Sequence, residues 1–257
     1  MPRCQRKVML GGVSAKGPAA ADVWADARRV VAQRYPGALA AVLGAAAVGP
    51  LHNPTSDLDL VVIVDDVAPC WEGFSTGRWP VEAFVATRGD WQRYVESEVA
   101  RRLPVVLHLT ATGLPVIESS ATQELQDAAR TVFDRGPGPL EEQELSLSRR
   151  LLADLVDDLR DVTEELEAAF LIGSIAQRAA ELALTVRGRW LGEGKWLARR
   201  LAEAEPGLAS RLLAGVRAAH AGEPAPLIST ATDLLARTGD VDHPPWIHDV
   251  RPELNGA

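Results

Sequence analysis

The segment Ser56-Asp57-Leu58-Asp59-Leu60-Val61-Val62-Ile63-Val64 is the most informative part of this 257-residue chain. It starts with two acidic residues and continues as an apolar, mostly β-branched run, which is typical of a buried β-strand. An apolar run at residues 39–47 precedes it, and residues rich in Gly, Pro and Asn connect the two. The pattern predicts two strands joined by a turn, with acids at the start of the second strand.

Asp57 and Asp59 are two residues apart on the second strand. Side chains alternate along a strand, so both carboxylates lie on one face, with Cα atoms roughly 6–7 Å apart. Two neighbouring carboxylates repel each other unless a cation lies between them, and Mg²⁺ prefers oxygen ligands. We therefore predict a Mg²⁺ site here.

Glu82 is a third acid, in the apolar run Trp79-Pro80-Val81-Glu82-Ala83-Phe84-Val85 that predicts a neighbouring strand. One interpretation is an edge-strand acid facing water. The other is a third ligand beside Asp57 and Asp59. Three carboxylates on two adjacent strands suit a two-metal site for phosphoryl or nucleotidyl transfer.

The predicted secondary structure changes at residues 134–139, where two Gly and two Pro interrupt any helix or strand. Before this point short β-rich runs alternate with helical patterns, and after it the pattern is helical almost throughout. We predict an α+β fold with two domains, 1–139 and 140–257. In the first domain we predict helices near 21–34 and 90–101 and strands at 58–64, 80–86 and 105–109. In the second domain we predict breaks between helices near 192–194, 205–206 and 223–224.

A long helix is predicted over residues 141–169. Its apolar stripe lies opposite a second face that carries four aspartates. That acidic face is either simply solvated or part of a cation site. The stripe consists of Leu152, Leu155, Val156, Leu159, Val162 and Leu166, and the acidic face of Asp154, Asp157, Asp158 and Asp161.

Composition and charge exclude several classes of protein. The chain has 27 Lys and Arg against 35 Asp and Glu, a formal charge of −8, which disfavours nucleic acid and favours a polycationic small molecule. Cys4 and Cys70 are far apart, which argues against a disulfide framework or a zinc knuckle. The apolar run after the N-terminal basic residues is too short for a signal core or membrane span. We expect a cytoplasmic protein without membrane contact.

The acids and their surroundings resemble the nucleotidyltransferase fold of the polymerase β superfamily. Gly44, a loop, Ser56-Asp57-Leu58-Asp59 and an apolar strand, followed by Glu82 on the next strand, carry the resemblance. Within the superfamily the chain is most similar to kanamycin nucleotidyltransferases. The resemblance is strong over about residues 40–110 and implies a mixed β-sheet with helices, followed by an all-helical C-terminal domain.

The resemblance implies Mg²⁺-dependent transfer of a nucleoside monophosphate, such as AMP from ATP, to a hydroxyl of a small molecule. Asp57, Asp59 and Glu82 would hold the metals. Asp157 best matches the family's general base, with Asp154 and Asp158 as rivals, and only one of them can serve. The resemblance also implies an aminoglycoside acceptor, a homodimer, and a helical domain that binds substrate or nucleotide.

Phosphate binding is predicted at two places. The glycine turn at Gly44 and Ala45, together with Ser56, would contact the triphosphate through backbone amides and a hydroxyl. A second basic region at residues 187–200 includes Arg187 and Lys195 beside a helix start, which suits a triphosphate. The alternative interpretation of residues 187–200 is purely structural: a solvated helical hairpin in which Trp190 and Trp196 pack into the core.

A second functional hypothesis follows from the turn. The family usually has Gly-Ser there, whereas this chain has Gly44-Ala45. The alternative is a catalytically silent relative that binds nucleotide or metal as a sensor or partner module. An enzyme acting on protein or nucleic acid is disfavoured by the negative charge.

His108, within the strand predicted at 105–109, is interpreted as a core residue.

Overall fold

The structure is a computed structural model, and it describes residues 20–44 and 57–239. The chain forms two compact units, residues 1–137 and 138–257. The first unit contains a β-sheet and helices, and the second is helical throughout its described part. Each unit has its own apolar core.

A five-stranded mixed sheet forms the centre of the first unit, in the order β3-β4-β2-β1-β5. β2 and β4 are parallel neighbours, whereas the pairs β1–β2, β3–β4 and β1–β5 are antiparallel. β4 therefore lies between β3 and β2, although β3 comes between them in sequence. The strands are β1 (Ala40–Leu43), β2 (Leu58–Ile63), β3 (Cys70–Ser75), β4 (Pro80–Ala86) and β5 (Leu114–Pro115).

Helices cover both faces of this sheet. α1 (Ala20–Arg34) packs its buried residues against one face, where it meets Leu58, Leu60 and Val62 of β2. α2 (Arg88–Arg101) and α3 (Val106–Thr112) contact β4 and β2, and α4 (Ser120–Arg135) contacts β1. Because side chains alternate, Asp59 points away from the α1 face.

The strand predicted at residues 105–109 is wrong, because Val105 is the N-cap of α3 and residues 106–109 form its start. The buried carboxylate of Glu98, on α2, accepts hydrogen bonds from the backbone N–H groups of Val105, Val106 and Leu107 at 2.8–3.0 Å. It therefore satisfies donors that a helix start leaves unpaired. Burial raises the pKa of Glu98, and the three N–H groups oppose that rise. His108 lies on α3, with its ring 5.2 Å from that of Phe133.

The second unit is a set of helices around a core of leucine, isoleucine, valine and alanine. The non-helical segments at residues 187–194, 205 and 221–224 include the predicted breaks. The helices are α5 (Glu142–Asp161), α6 (Glu165–Val186), α7 (Lys195–Ala204), α8 (Pro206–His220) and α9 (Ala225–Thr238).

The single helix predicted over 141–169 is in fact two helices. α5 ends at Asp161, and Val162 has an extended backbone (φ −64°, ψ 135°) before α6 begins at Glu165. The β-branched pair Val162-Thr163 favours such a break. Leu152, Val156 and Leu159 of the predicted stripe are buried, whereas Leu166 lies on α6 and is 72% exposed.

By length and composition alone, α6 could also span a membrane, but 44% of its apolar window is buried within the structure. Ile172, Ile175 and Ala179 belong to the core of the helical unit. These contacts are those of a core helix.

The predicted fold class is confirmed: a mixed β-sheet with helices precedes an all-helical region. The boundary at residues 137/138 divides the chain into two compact units. The catalytic and substrate-binding roles expected for 1–139 and 140–257 stay predictions.

Candidate metal centre

Three carboxylates meet at the start of β2. Each of Asp57, Asp59 and Glu82 offers one oxygen, and these oxygens all lie within 4.8 Å of one another. Asp57 and Asp59 are half-buried, and Glu82 is exposed. We call these three residues the acidic triad.

The parallel pairing of β2 and β4 creates the triad. Asp59 is the register partner of Glu82, and Leu58 and Leu60 are partners of Val81 and Ala83. The apolar partners belong to the α1 side of the sheet. Alternation therefore places both acids on the opposite face, at the same level of the sheet. Asp57 directly precedes β2, two residues before Asp59.

The β1 side of the triad is closely packed. The Gly44 N–H, just after β1, donates to the carbonyl of Asp59 at 2.8 Å. A Cβ at position 44 would lie 2.6 Å from Leu109 Cδ2 and 3.2 Å from Asp59 Cβ. This close approach is a packing reason for a glycine here, and the predicted role of Gly44 in triphosphate binding stays a prediction. Leu109 of α3 closes this side.

The β3 side of the triad is open. Gly73 of β3 is the register partner of Glu82, so its missing side chain would lie on the same face. Among the described residues, nothing lies within 4 Å of a Cβ built at Gly73. Trp71, two residues earlier on this face, is 36% exposed. A ligand at the triad would therefore have room over β3.

The donor set fits a hard divalent cation. Oxygens that share a Mg²⁺ at about 2.1 Å lie roughly 3–4 Å apart in an octahedral shell, and Ca²⁺ accepts longer distances. Triad oxygens within 4.8 Å of one another need only small side-chain rotations to reach such spacing. Without a cation, the three charges would repel one another. The triad is thus suited to hold Mg²⁺ or Mn²⁺.

No protein-family model matches the chain, and neither does any curated protein. Among solved structures, the chain is similar to a nucleotidyltransferase-like protein from Exiguobacterium sibiricum 255-15. The TM-score is 0.42 and the sequence identity 15%, over 85% of this chain and 74% of that chain. The functional proposal below therefore rests on the acidic triad itself.

Two predicted phosphate-binding residues, Ala45 and Ser56, lie outside the described residues. Their contribution stays a prediction. Gly44 is described, and its N–H donates to Asp59.

Asp157, predicted as the general base, lies on α5 in the helical unit. Its carboxylate is exposed and pairs with Arg160 one turn later. Asp154 lies 3.9 Å from Arg150, and Asp158 and Asp161 are exposed. The acidic face predicted for this helix is therefore solvent-exposed. Exposed ion pairs of this kind contribute little free energy, so Asp157 can exchange its partner.

The basic region at 187–200 is largely engaged within the helical unit. Arg187, just after α6, pairs with Glu205 at 2.7 Å, and Arg200 donates to the Leu191 carbonyl at 2.6 Å. Trp190 is buried. These contacts favour the structural interpretation of this hairpin. Lys195 is exposed at the start of α7, and its role in nucleotide binding stays a prediction.

The sequence alone did not indicate two residues beside the triad. Gly73 leaves the β3 side open, and Leu109 closes the β1 side. β3 was not predicted, because Cys70–Ser75 contains Glu72 and Gly73 and lacks an apolar run. The available signal was the turn at Thr76-Gly77, where Gly77 has a φ of 83° between two strands. The apolar pattern of residues 105–109 predicts a strand rather than a helix, and a strand there gives no indication that Leu109 approaches Gly44.

Proposed function

We propose that the protein is a divalent-metal-dependent nucleotidyltransferase acting on a hydroxyl of a small molecule. The observation that carries this proposal is the acidic triad, with three carboxylate oxygens within 4.8 Å on two adjacent strands. Such an arrangement suits cation binding at a transferred phosphate, because three carboxylates this close together on one face of a sheet offer the oxygen ligands that a divalent cation prefers.

In this proposal Asp57, Asp59 and Glu82 hold the cation and fix the position of a nucleoside triphosphate. A bound divalent cation supplies charge neutralisation at the phosphate oxygens. The acceptor oxygen forms a bond to the α-phosphorus, and the bond to the leaving pyrophosphate breaks. The proton of the acceptor hydroxyl passes to a carboxylate, for which Asp157 is our first candidate and Asp154 and Asp158 are the rivals.

The finer proposal is that ATP donates AMP to a polycationic acceptor such as an aminoglycoside. The exposed aspartates of α5 and the net charge of −8 support a cationic acceptor. The open space over Gly73 supports an acceptor larger than a simple alcohol. A homodimer and a cytoplasmic location belong to the same proposal.

The test is a turnover assay with matched variants. The protein is incubated with Mg²⁺, each of ATP, GTP, CTP and UTP, and a panel of aminoglycosides and neutral sugars; pyrophosphate and the acceptor's mass are measured. Asp57→Asn is expected to abolish both signals. Asp65→Asn, an exposed acid just after β2, is the control and should retain turnover.

The same assay tests the alternative, a silent nucleotide or metal binder. The departure from Gly-Ser at Ala45 motivates that alternative. Metal-dependent nucleotide binding that Asp57→Asn abolishes, with no product from any acceptor, would favour the binder. An absence of both binding and turnover would overturn the proposed function.

A further inference from the structure

A groove lies between α2 and α4 in the sheet-containing unit, and no member of the acidic triad lines it. Its volume is about 400 Å³, which is within the range of small-molecule sites in proteins. The apolar residues of each helix are spaced four apart, so each helix presents one face to the groove. We call it the α2–α4 groove. Its apolar lining consists of Trp91, Val95, Val99, Ala128 and Val132.

The floor of the α2–α4 groove is held in place by contacts within the unit. Trp91 and Val95 are buried. The Trp91 Nε1–H donates to Thr110 Oγ1 at 3.2 Å, which fixes the indole against the end of α3. Glu98, further along α2, binds the start of α3, so α2 is antiparallel to α3. A ligand would therefore meet a preformed apolar surface.

α4 is antiparallel to α3 as well. Gln126, in the first half of α4, donates to backbone carbonyls at the end of α3. Phe133, near the end of α4, contacts His108 near the start of α3. α2 and α4 therefore run in the same direction, and the groove follows both helices. Arg88, the first residue of α2, and Arg135, the last residue of α4, lie at its opposite ends.

The charges around the α2–α4 groove favour an anion. Arg88 and Arg135 are exposed, and neither pairs with a carboxylate in the part of the chain that the structure describes. The Arg88 guanidinium carbon lies 5.0 Å from the centroid of the Trp91 ring. Glu96 also lines the groove, but it accepts a hydrogen bond from Gln92 at 3.3 Å. It is eight residues from Arg88, which is about 12 Å along the helix.

We propose that the α2–α4 groove binds a free alkyl carboxylate, with the alkyl chain on the apolar floor and the carboxylate paired with Arg88. Arg88 is a better partner than Arg135, because its guanidinium already lies over Trp91 and loses less freedom on binding. The groove extends from Arg88 to Val99 over about 16 Å of helix, which accommodates an extended decanoate. We expect a Kd on the order of 100 µM. This proposal does not depend on the proposed reaction.

The first test is isothermal titration of the full chain with decanoate and with decyltrimethylammonium, both below their micelle concentrations. Decanoate should bind one to one, and the cationic probe should not bind. Arg88→Gln is expected to weaken decanoate binding about fivefold, because one exposed ion pair is lost. Arg88→Glu should weaken it at least about tenfold and allow the cationic probe to bind. Arg135→Gln, at the other end of the groove, is the control and should change the Kd by less than about twofold.

The second test fills the groove. Ala128 is half-buried in the lining, so Ala128→Phe should occupy the space of the alkyl chain and abolish decanoate binding. Ala100→Phe, at an exposed position of α2 outside the lining, is the matched control and should bind normally. The melting temperature without ligand checks that both variants fold. Cosedimentation with phosphatidylglycerol vesicles tests a membrane as the source of the anion, and we expect none.

Saturable decanoate binding that weakens at Arg88 and is lost in Ala128→Phe would support the proposal. A wild-type chain that does not bind decanoate, or that binds the cationic probe equally well, would overturn it. Binding that Arg88→Glu leaves unchanged would overturn it too, whether or not Ala128→Phe folds. A larger effect of Arg135→Gln than of Arg88→Gln would contradict the position of the carboxylate. Vesicle binding without decanoate binding would mean that the anion belongs to a membrane surface.

Discussion

Asp59 and Glu82 are register partners across the parallel strands β2 and β4, and their carboxylates share one face of the sheet. Asp57, just before β2, completes a set of oxygens within 4.8 Å of one another. The position of each acid depends on a long-range strand pairing. Changes at the triad should therefore alter metal affinity without unfolding the protein.

Glu82→Gln is expected to have opposite effects on stability and on metal binding. Removing one of three mutually repelling charges should raise the free energy of unfolding by about 1 kcal/mol in the presence of EDTA. The same change should weaken Mn²⁺ binding at least about tenfold, because one ligand is lost. Urea unfolding and Mn²⁺ titration followed by EPR measure the two effects. Asp65→Asn should change neither, and a variant that binds Mn²⁺ normally would contradict the site.

Gly44→Ala tests the close packing on the β1 side. A methyl group there would lie 2.6 Å from Leu109 Cδ2, so we expect a loss of about 1–3 kcal/mol of stability and weaker metal binding through a displaced Asp59. Adding Leu109→Ala removes the collision. In a double-mutant cycle measured by urea unfolding, the two changes should cost less together than the sum of their separate costs. Additive costs would show that the two residues are independent.

Gly73→Phe tests the open β3 side. Because no described atom lies within 4 Å of a Cβ built at Gly73, and phenylalanine favours a strand more than glycine does, the variant should be at least as stable as the wild type and bind Mn²⁺ normally. Its kcat/KM for a bulky acceptor should fall at least about tenfold, as the phenyl ring fills the space beside Glu82. Gly37→Phe, at another uncrowded glycine, is the control. Unchanged turnover of bulky acceptors would mean that they approach elsewhere.

Asp26→Asn tests a buried carboxylate of α1. The Trp79 Nε1–H donates to Asp26 at 2.9 Å, and Arg29 and Arg78 pair with it at 2.6 and 2.9 Å. The Trp79 hydrogen bond above all, with both arginines, lowers the Asp26 pKa from its ordinary 3.8. A lowered pKa stabilises the fold above about pH 3.8, and this stabilisation is lost as the pH falls through the folded-state pKa.

We therefore expect Asp26→Asn to lower the free energy of unfolding at pH 7 by about 1–3 kcal/mol. The difference should shrink as the pH falls below about 3.8, and it should vanish only below the lowered folded-state pKa of Asp26. Urea unfolding at several values between pH 2.5 and 7 measures the difference. Asp66→Asn, at an exposed acid after β2, should show no such convergence. A difference that stays constant with pH would show that the charge of Asp26 is unimportant.

Glu98→Gln should destabilise the start of α3. A glutamine amide keeps one acceptor oxygen, but its NH₂ group would face either the Leu107 N–H, which Oε2 of Glu98 accepts, or the Val105 and Val106 N–H groups, which Oε1 accepts. We expect a loss of about 2 kcal/mol, measured by urea unfolding. Glu96→Gln, on the exposed side of α2, is the matched control. Equal stability of the two variants would contradict the capping role.

The strongest local patterns predicted β2, β4 and the face of their acids. The apolar runs around Asp59 and Glu82 fit buried strands, and alternation then fixes the direction of the side chains. The structure brings the three acids together, although their catalytic and metal-binding roles remain to be measured. The α+β class could be predicted because the sequence changes near residue 137 from mixed strand and helix patterns to helical patterns, and the sheet-containing unit ends there.

The elements that sequence reasoning missed depend on distant partners. Residues 105–109 are as apolar as a strand, but Glu98 caps them at one end as a helix, and Gln126 donates to the carbonyls of Thr110 and Gly113 at the other. β3 is stabilised by pairing with β4 rather than by its own composition. The break between α5 and α6 depends on only a few β-branched residues.

The insertion of β4 between β3 and β2 has a consequence for biogenesis. A nascent chain that ends before residue 80 carries Asp57 and Asp59 but lacks the strand that delivers Glu82. If the proposed function holds, all three carboxylates can bind a cation together only after the β3–β4 hairpin has paired with β2. Cation binding by a ribosome-bound chain would then report that the sheet is complete.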